Sequence, residues 1–344
     1  MPLPIMPPFP PMEAESVREI PRGNEWQYEP KWDGFRCLAF RDGANVELQS
    51  KSCQPLARYF PELVEAVLSV RAPRFVLDGE IVVPSGTTFS FDDLLARLHP
   101  AASRVKKLAA QTPALFIVFD LLVDGRGGSL VEIPLSERRK RLEKFASTAL
   151  GGTDSIRLSP ATSELAGAEK WLGSVGSILD GIIAKRLDFS YRSGDRTGMQ
   201  KVKTHRSADC VLGGFRYATG KKVVGSLLLG LYNKRGKLDH VGFSSGFKAV
   251  ERAALARKLE PLIQSPGFTG SAPGGPSRWN GGEAKEWHPL APELVVEVSY
   301  DHFTGGRFRH GTKVLRWRPD KDPSQCTMDQ VKQKRGNLLK LLRS

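Results

Sequence analysis

Tyr28-Glu29-Pro30-Lys31-Trp32-Asp33-Gly34-Phe35-Arg36 places a lysine directly before an aromatic residue, an acid and a glycine, with an arginine just beyond. A charge meant only for solvent needs no such company. A lysine amine attacks a phosphorus or carbonyl centre only when unprotonated, so a reactive lysine requires burial or neighbouring cations. Phe35 to Phe40 reads as a strand, Asp42-Gly43 as a hairpin turn and Val46 to Gln49 as the returning strand. Lys31 is therefore expected at the mouth of a sheet, with Gly34 letting the backbone bend. Any supporting cations must come from elsewhere in the chain.

Outward from this stretch, strands and helices alternate irregularly. Tyr59 to Val70 reads as a helix begun by Pro61, and Arg74 to Val83 as a strand. Ser90 is a cap for a helix over Phe91 to Leu98. Ala114 to Val123 is an apolar strand, Ser136 to Phe145 a basic amphipathic helix, Glu164 to Leu172 a further helix, and Asp180 to Lys185 another strand. Several apparent hairpins among them favour a mixed α+β domain over a doubly wound parallel sheet. From about Thr204 the texture changes. Cys210 to Tyr217, Ser226 to Asn233 and Lys237 to Phe243 read as short strands, followed by a helix over Lys248 to Ile263. A glycine-rich loop, Gly267 to Gly282, leads to a final strand, Glu293 to Tyr300. Short strands, one helix and long loops predict a small β-barrel of the OB type. The expected divisions are residues 1–205, 206–325 and a basic tail over 326–344, either helical or without structure.

Charge divides the chain in the same place. Residues 1 to 200 hold 25 Lys+Arg and 25 Asp+Glu, whereas residues 201 to 344 hold 26 and 12, so the net +14 lies entirely in the second part. A basic unit beside a neutral one suggests a polyanion grip attached to a chemical unit. No apolar run approaches the roughly 20 residues that span a bilayer. The opening residues Met1 to Met12 hold six prolines and no basic residue, unlike a signal peptide. A cytoplasmic, nucleoid-associated protein is the expectation. The four cysteines, Cys37, Cys53, Cys210 and Cys326, form no Cys-x-x-Cys pair, which argues against zinc and for reduced packing residues. No Gly-x-x-x-x-Gly-Lys-Ser/Thr loop is present, which excludes a P-loop enzyme.

Further charged and aromatic residues mark other strand ends: Leu77-Asp78-Gly79-Glu80, Phe116-Ile117-Val118-Phe119-Asp120, Asp180-Gly181-Ile182-Ile183-Ala184-Lys185 and Lys201-Val202-Lys203. Lys201 and Lys203 alternate along a strand and so share a face, which packs no core and offers the cations Lys31 needs. In order and spacing, these elements resemble the nucleotidyltransferase motifs of ATP-dependent DNA ligases, most closely the small bacterial two-domain LigC type, related to the ligase domain of LigD. The resemblance runs from Tyr28 to Pro323 and includes Arg316-Trp317-Arg318-Pro319-Asp320-Lys321, similar to the family's Arg-x-Asp-Lys motif. Capping enzymes and RNA ligases share the lysine chemistry.

The resemblance implies an α+β nucleotidyltransferase domain of largely antiparallel sheets followed by an OB-fold. It implies Lys31 as the nucleophile toward the α-phosphorus of ATP. Glu29, Arg36, Lys51, Glu80, Phe119, Arg196, Lys201 and Lys203 would bind ATP, with Phe119 stacking on adenine. Glu80 and Asp180 would hold Mg2+ or Mn2+. Arg318, Asp320 and Lys321 would orient pyrophosphate. Nicked or broken duplex DNA is the implied partner, with an end-binding protein such as Ku a candidate second one, and a monomer is expected. Three positions depart from the family. Ser50-Lys51-Ser52 stands where Ser-Arg-Asn is frequent, and lysine lacks arginine's bidentate fork. Asp180 replaces the usual Glu and is shorter by one methylene. Met199 takes the place of an aromatic.

Overall fold

The computed structural model describes residues 2–175, 179–204, 206–274, 286–332 and 337–342. Within them the chain forms two compact units, one of residues 1–204 together with 334–344, the other of residues 205–333.

The first unit is built on two sheets. One runs in the order Asn45–Ser50, Phe35–Asp42, Arg74–Val82, Leu115–Val123, Ile156–Leu158, antiparallel except for the last pair. The period-2 alternation of its strands divides the side chains cleanly. Cys37, Ala39, Phe75, Leu77, Ile81, Phe116 and Val118 point to one face. There they pack with Leu63 and Val67 of the helix Pro61–Ser69 and Leu142 and Phe145 of the helix Leu135–Ala149. Leu38, Phe40, Val76 and Leu122 point the other way, against Met199 and Tyr191.

The second sheet has the order Glu15–Val17, Met199–Lys203, Gly181–Arg186, Trp26–Pro30. Its outer face, Trp26, Tyr28, Ile182 and Ala184, is covered by Ala168 of the helix Leu165–Val175 and by Leu338. Its inner face carries Gln27, Glu29, Ile183, Lys185 and Lys201, because register pairs Ile183 with both Glu29 and Lys201, and Lys185 with Gln27. Burying so polar a face makes sense only if it lines a site.

Pro61 opens its helix, and Ser90 Oγ accepts from Asp93 N to cap Phe91–Ala96, as expected. The helix Ala102–Gln111 was not legible: it buries only Val105 and has no side-chain cap.

In the second unit the sheet runs Leu238–Ser244, Lys221–Tyr232, Arg206–Ala218, Val295–Tyr300, Lys313–Trp317, all antiparallel, with the helix Ala249–Leu259 packed on it. The two edge strands meet at one bridge, where Thr312 N donates to the Phe243 carbonyl and Ser244 Oγ to the Thr312 carbonyl. This curled, largely antiparallel sheet is the OB-type architecture expected, drawn together at one end. Glu293 to Tyr300 is not the last strand, however. Lys313–Trp317 follows it, an edge strand whose lysine and arginine hide the apolar alternation.

Cys326 and Val331 belong to this unit's core. Of the expected glycine-rich loop, residues 275–282 lie outside the described residues, as do 333–336 and 343–344 of the tail. Cys37, Cys210 and Cys326 are buried and free, whereas Cys53 is a half-buried turn residue with φ 59° rather than a packing residue. Among the described residues no helix is long and apolar enough to cross a membrane.

Candidate active site

Lys31 is set where two strand ends meet. Pro30 pairs with Ile182, and Lys31 N donates to the Gly181 carbonyl at 2.9 Å, which brings the lysine beside Asp180. The Lys31 ammonium is ion-paired with the Asp180 carboxylate. Two glycines make this junction possible. Gly181 has φ +148°, and a Cβ there would lie 1.9 Å from the Val202 carbonyl oxygen. At Gly34 a Cβ would come within 2.1 Å of the Ile81 carbonyl oxygen. What Gly34 supplies is room for close backbone approach between Lys31 and the five-stranded sheet.

Lys31 opens on a cavity lined by residues of both sheets, among them Glu29, Trp32, Arg36, Lys51, Glu80, Phe119, Lys185 and Lys201. Its floor consists of buried, fixed pairs. Glu29 is 2% exposed and accepts from Lys185 Nζ at 2.9 Å through both oxygens, while Gln27 Nε2 donates to it at 2.8 Å. Arg36 lies opposite Glu80 in register and reaches diagonally to Asp78, Nε to Oδ1 at 2.5 Å and Nη2 to Oδ2 at 2.6 Å. Tyr191 Oη donates to the same Asp78 Oδ2 at 2.6 Å and accepts from Met12 N.

Burial works against the Arg36 charge, but the Asp78 carboxylate and its hydrogen bond, with the other acids around it, outweigh burial and raise the pKa, and burial with the same carboxylate pushes the Tyr191 phenol well up. Phe119 is both core and wall. It packs with Trp32, Val82 and Ile117, and its ring holds the Arg36 guanidinium at 4.5 Å and the Lys185 ammonium at 4.4 Å. Trp32 is fixed through Nε1 to Ser159 Oγ at 2.9 Å.

The rim is looser. Glu13 Oε2 receives Lys51 Nζ at 2.9 Å and Arg196 Nη2 at 3.3 Å, and both cations are mostly exposed. The hydrogen bond from Lys51 holds Glu13 below its ordinary carboxylate range. Lys201 is pushed down by burial and by the charges of Lys51, Lys31, Lys203 and Arg196. This concentration of cations with few acids is a site for a polyanion. Glu80, in the strand Arg74–Val82, is raised to about 7 because burial outweighs the opposing pull of Arg36 and Lys31. Glu80, a half-buried carboxylate on the cavity wall, and Asp180, paired with Lys31, both offer the hard oxygen atoms that a magnesium-like dication takes.

The cavity thus gathers Glu29, Lys31, Arg36, Lys51, Glu80, Phe119 and Lys201, with Asp180 and Arg196 joined to it by ion pairs. Lys203 is exposed and pairs in register with Gly181. Arg318, Asp320 and Lys321 belong to the second unit. There Arg318 bridges Asp320 and Asp209 at 2.9 Å each, and Lys321 Nζ is 3.8 Å from Asp209. Two charged residues that line the cavity, Lys185 and Glu13, and two that stand behind it holding Arg36, Asp78 and Tyr191, had no role in the sequence reading. Lys185 and Asp78 lie inside the quoted motifs, so their charge in a strand interior was the available signal. Tyr191 lies in the Tyr191-x-x-Gly194-x-Arg196 stretch, whereas Glu13 reaches the site only through the fold.

A family model described as "ATP dependent DNA ligase domain" matches residues 11–203, and one described as "ATP dependent DNA ligase C terminal region" matches residues 220–321. DNA ligase C2 of Mycolicibacterium smegmatis is 47% identical over 347 residues, covering 96% of each chain. DNA ligase C of Mycobacterium tuberculosis is 44% identical over 346 residues, again with 96% of each chain covered. Among solved structures, a Lig E DNA ligase shares the fold at TM-score 0.56 and 18% identity, over 89% of this chain and 99% of that one. With the motifs of its first unit gathered about one lysine-centred cavity and 96% of its length matched by these relatives, the chain belongs to the ATP-dependent DNA ligases.

Proposed function

We propose that this ligase seals 5′-phosphate/3′-hydroxyl breaks in duplex DNA, with Lys31 as the residue that carries AMP. The observation that carries this is the Lys31 position: its ammonium is held by Asp180 at the mouth of a cavity with a fixed polar floor and a cationic rim. The floor suits a nucleoside. Glu29 offers a carboxylate edge to the adenine exocyclic amine, Phe119 a face for stacking, and Arg36 a fixed guanidinium for the sugar. The rim suits the triphosphate, with Lys51, Arg196, Lys201 and Lys203 spreading positive charge over it.

In the first step the Lys31 ammonium gives up one proton to solvent, and the neutral amine attacks the α-phosphorus. The N–P bond forms as the bond to pyrophosphate oxygen breaks, and the amine's remaining excess proton passes to solvent. Lys201 is the cation placed to neutralise charge that grows on the α-phosphate, the usual division of labour in phosphoryl transfer. A Mg2+ or Mn2+ ion held by Glu80 and Asp180 would supply further neutralisation of the triphosphate and relieve Asp180's hold on the ammonium. Arg318, Asp320 and Lys321 orient the departing pyrophosphate. The AMP then passes to the DNA 5′-phosphate, and the 3′-hydroxyl displaces it. The basic second unit supplies the grip on DNA. The role is repair, carried out by a monomer in the cytoplasm at the nucleoid, with an end-binding protein such as Ku as recruiter.

Incubation with α-labelled ATP, magnesium and a nicked duplex tests this. The wild-type chain should take up an acid-labile, alkali-stable label and seal the nick. Lys31→Ala should take up none while still sealing a pre-adenylylated nick. The same label on Lys31→Ala would overturn the assignment.

A further inference from the structure

The segment Phe9 to Glu13, at the end of the proline-rich opening, is fastened along the cavity wall by a series of hydrogen bonds. The Gln49 side chain clamps Phe9, accepting from its N–H at 2.9 Å and donating to its carbonyl at 2.7 Å. Ser193 Oγ donates to the Pro10 carbonyl at 2.7 Å, Met12 N to Tyr191 Oη at 3.0 Å, and Glu13 N to the Asp195 carbonyl at 2.8 Å. Glu15–Val17 then pairs in parallel with the strand of Lys201. Pro11, Met12, Glu13 and Ala14 form one wall of the cavity. The backbone is held on both sides of Glu13, so this carboxylate stays at the rim.

Its position matters because of what it touches. Lys51 follows the hairpin strand and Arg196 sits in the loop before Met199. These two elements approach one another at a single oxygen, Glu13 Oε2. Lys201 feels the charge of both cations. Two cations from separate elements, sharing one anion oxygen beside a third, form the arrangement expected around a phosphate oxygen.

We infer that Glu13 is a built-in counter-ion to the phosphate-facing cations Lys51 and Arg196 and thereby sets the affinity for the nucleotide triphosphate. This rests on the nucleotide-site reading above. When ATP enters, Lys51 and Arg196 exchange the Glu13 oxygen for phosphate oxygens, and the displaced carboxylate then opposes the triphosphate charge. Glu13 weakens ATP binding twice, by competing for cations and by repulsion. When pyrophosphate leaves, it re-forms the resting pair. Being a positioning and affinity-setting group, it takes no part in bond making.

Glu13→Gln keeps the shape and one accepting oxygen but removes the charge. Exposed ion pairs are each worth up to about a fivefold factor, so the KM for ATP in Lys31 labelling should fall by about three- to tenfold at low salt. The gap between Glu13→Gln and wild type should narrow as salt rises through about 0.5 M, because the pairs lie at the exposed rim. The maximal labelling rate should stay the same or drop slightly through slower pyrophosphate release. Glu19→Gln removes the same charge from an exposed position outside the cavity and serves as the control, with KM unchanged.

A Glu13→Gln protein with unchanged or raised KM, wild-type labelling being intact, overturns the counter-ion role. So does an equal fall in KM for Glu19→Gln, which would trace the effect to net charge. A lowered melting temperature with unaltered KM would mark Glu13 as merely a strap fastening and also overturns it. Absence of label on Lys31 in the wild type would instead strike at the nucleotide site itself.

Discussion

The floor and the rim of the cavity use the same chemistry, carboxylates paired with cations, to opposite ends. On the floor, Lys185 and Glu29 are 5% and 2% exposed, and Arg36 and Asp78 are tied by two hydrogen bonds. On the rim, Lys51 and Glu13 are 57% and 26% exposed. A buried pair cannot be separated without leaving a charge desolvated, so it holds one geometry. An exposed pair exchanges partners at little cost. The difference fits what each region has to do: a base and a sugar are recognised by fixed groups, whereas phosphates arrive, react and leave.

The sharpest break in this comparison is at Lys185. Lys185→Met leaves the Glu29 carboxylate buried with only Gln27 to donate to it. Urea unfolding of the full chain should show a loss of about 3–5 kcal/mol, the range for removing one partner of a buried pair. Labelling of Lys31 should fall with it. Adding Glu29→Gln to Lys185→Met removes the stranded charge and should recover most of the stability, though not the discrimination of ATP from GTP. Failure of the second substitution to recover stability would show that Lys185 acts by packing on Phe119 instead.

These two regions were unequally legible in the sequence. Lys31, Glu29, Arg36, Glu80, Phe119 and Asp180 sit in short runs where a charge beside a glycine or aromatic is visible without the fold, although Phe119 proves to be the midpoint of its strand and not at an end. Lys185 and Glu29 lie 156 residues apart and become partners only once antiparallel register is fixed. No local pattern states that register. Glu13 was hidden more deeply, just after a proline-rich opening without periodicity, and its place shows only once that backbone is seen fastened to Gln49, Tyr191 and Asp195. The fold class was readable from alternation and from the charge split. The strand Lys313–Trp317 was not, because an exposed edge strand with charged residues has no apolar periodicity.

Between floor and rim stands Glu80, and pH reads its position. Burial raises its pKa from the ordinary carboxylate range to about 7. Between about pH 4.5 and 7 the folded chain keeps a proton that the unfolded chain has lost, so this residue's contribution to stability declines as pH rises through that window and is level above it. Glu80→Gln should therefore be more stable than wild type above pH 7, with the gap closing toward pH 4.5, by thermal unfolding without divalent ions. Lys31 labelling should rise with pH through the same window, since a dication is held by the ionised form. Raising Mg2+ or Mn2+ should move that limb to lower pH. A limb that ignores metal concentration would separate Glu80 from the metal.

The smallest effect belongs to Lys51. Its pair with Glu13 is exposed and is one of two that Glu13 makes, so Lys51→Ala should cost under about 1 kcal/mol of stability. Losing one rim cation should raise the KM for ATP only about two- to threefold, because Arg196 and Lys201 remain. The informative measurement is the double variant. If Lys51 and Glu13 neutralise each other in the resting site, removing Glu13 frees Lys51 for phosphate, so Lys51→Ala should cost more in the Glu13→Gln background than in wild type. Neighbouring charges sharing a partner depart from additivity in this way, whereas groups acting separately would show the same factor in both backgrounds. Equal factors would mean that Lys51 never leaves Glu13 for the nucleotide, and that the rim is as fixed as the floor.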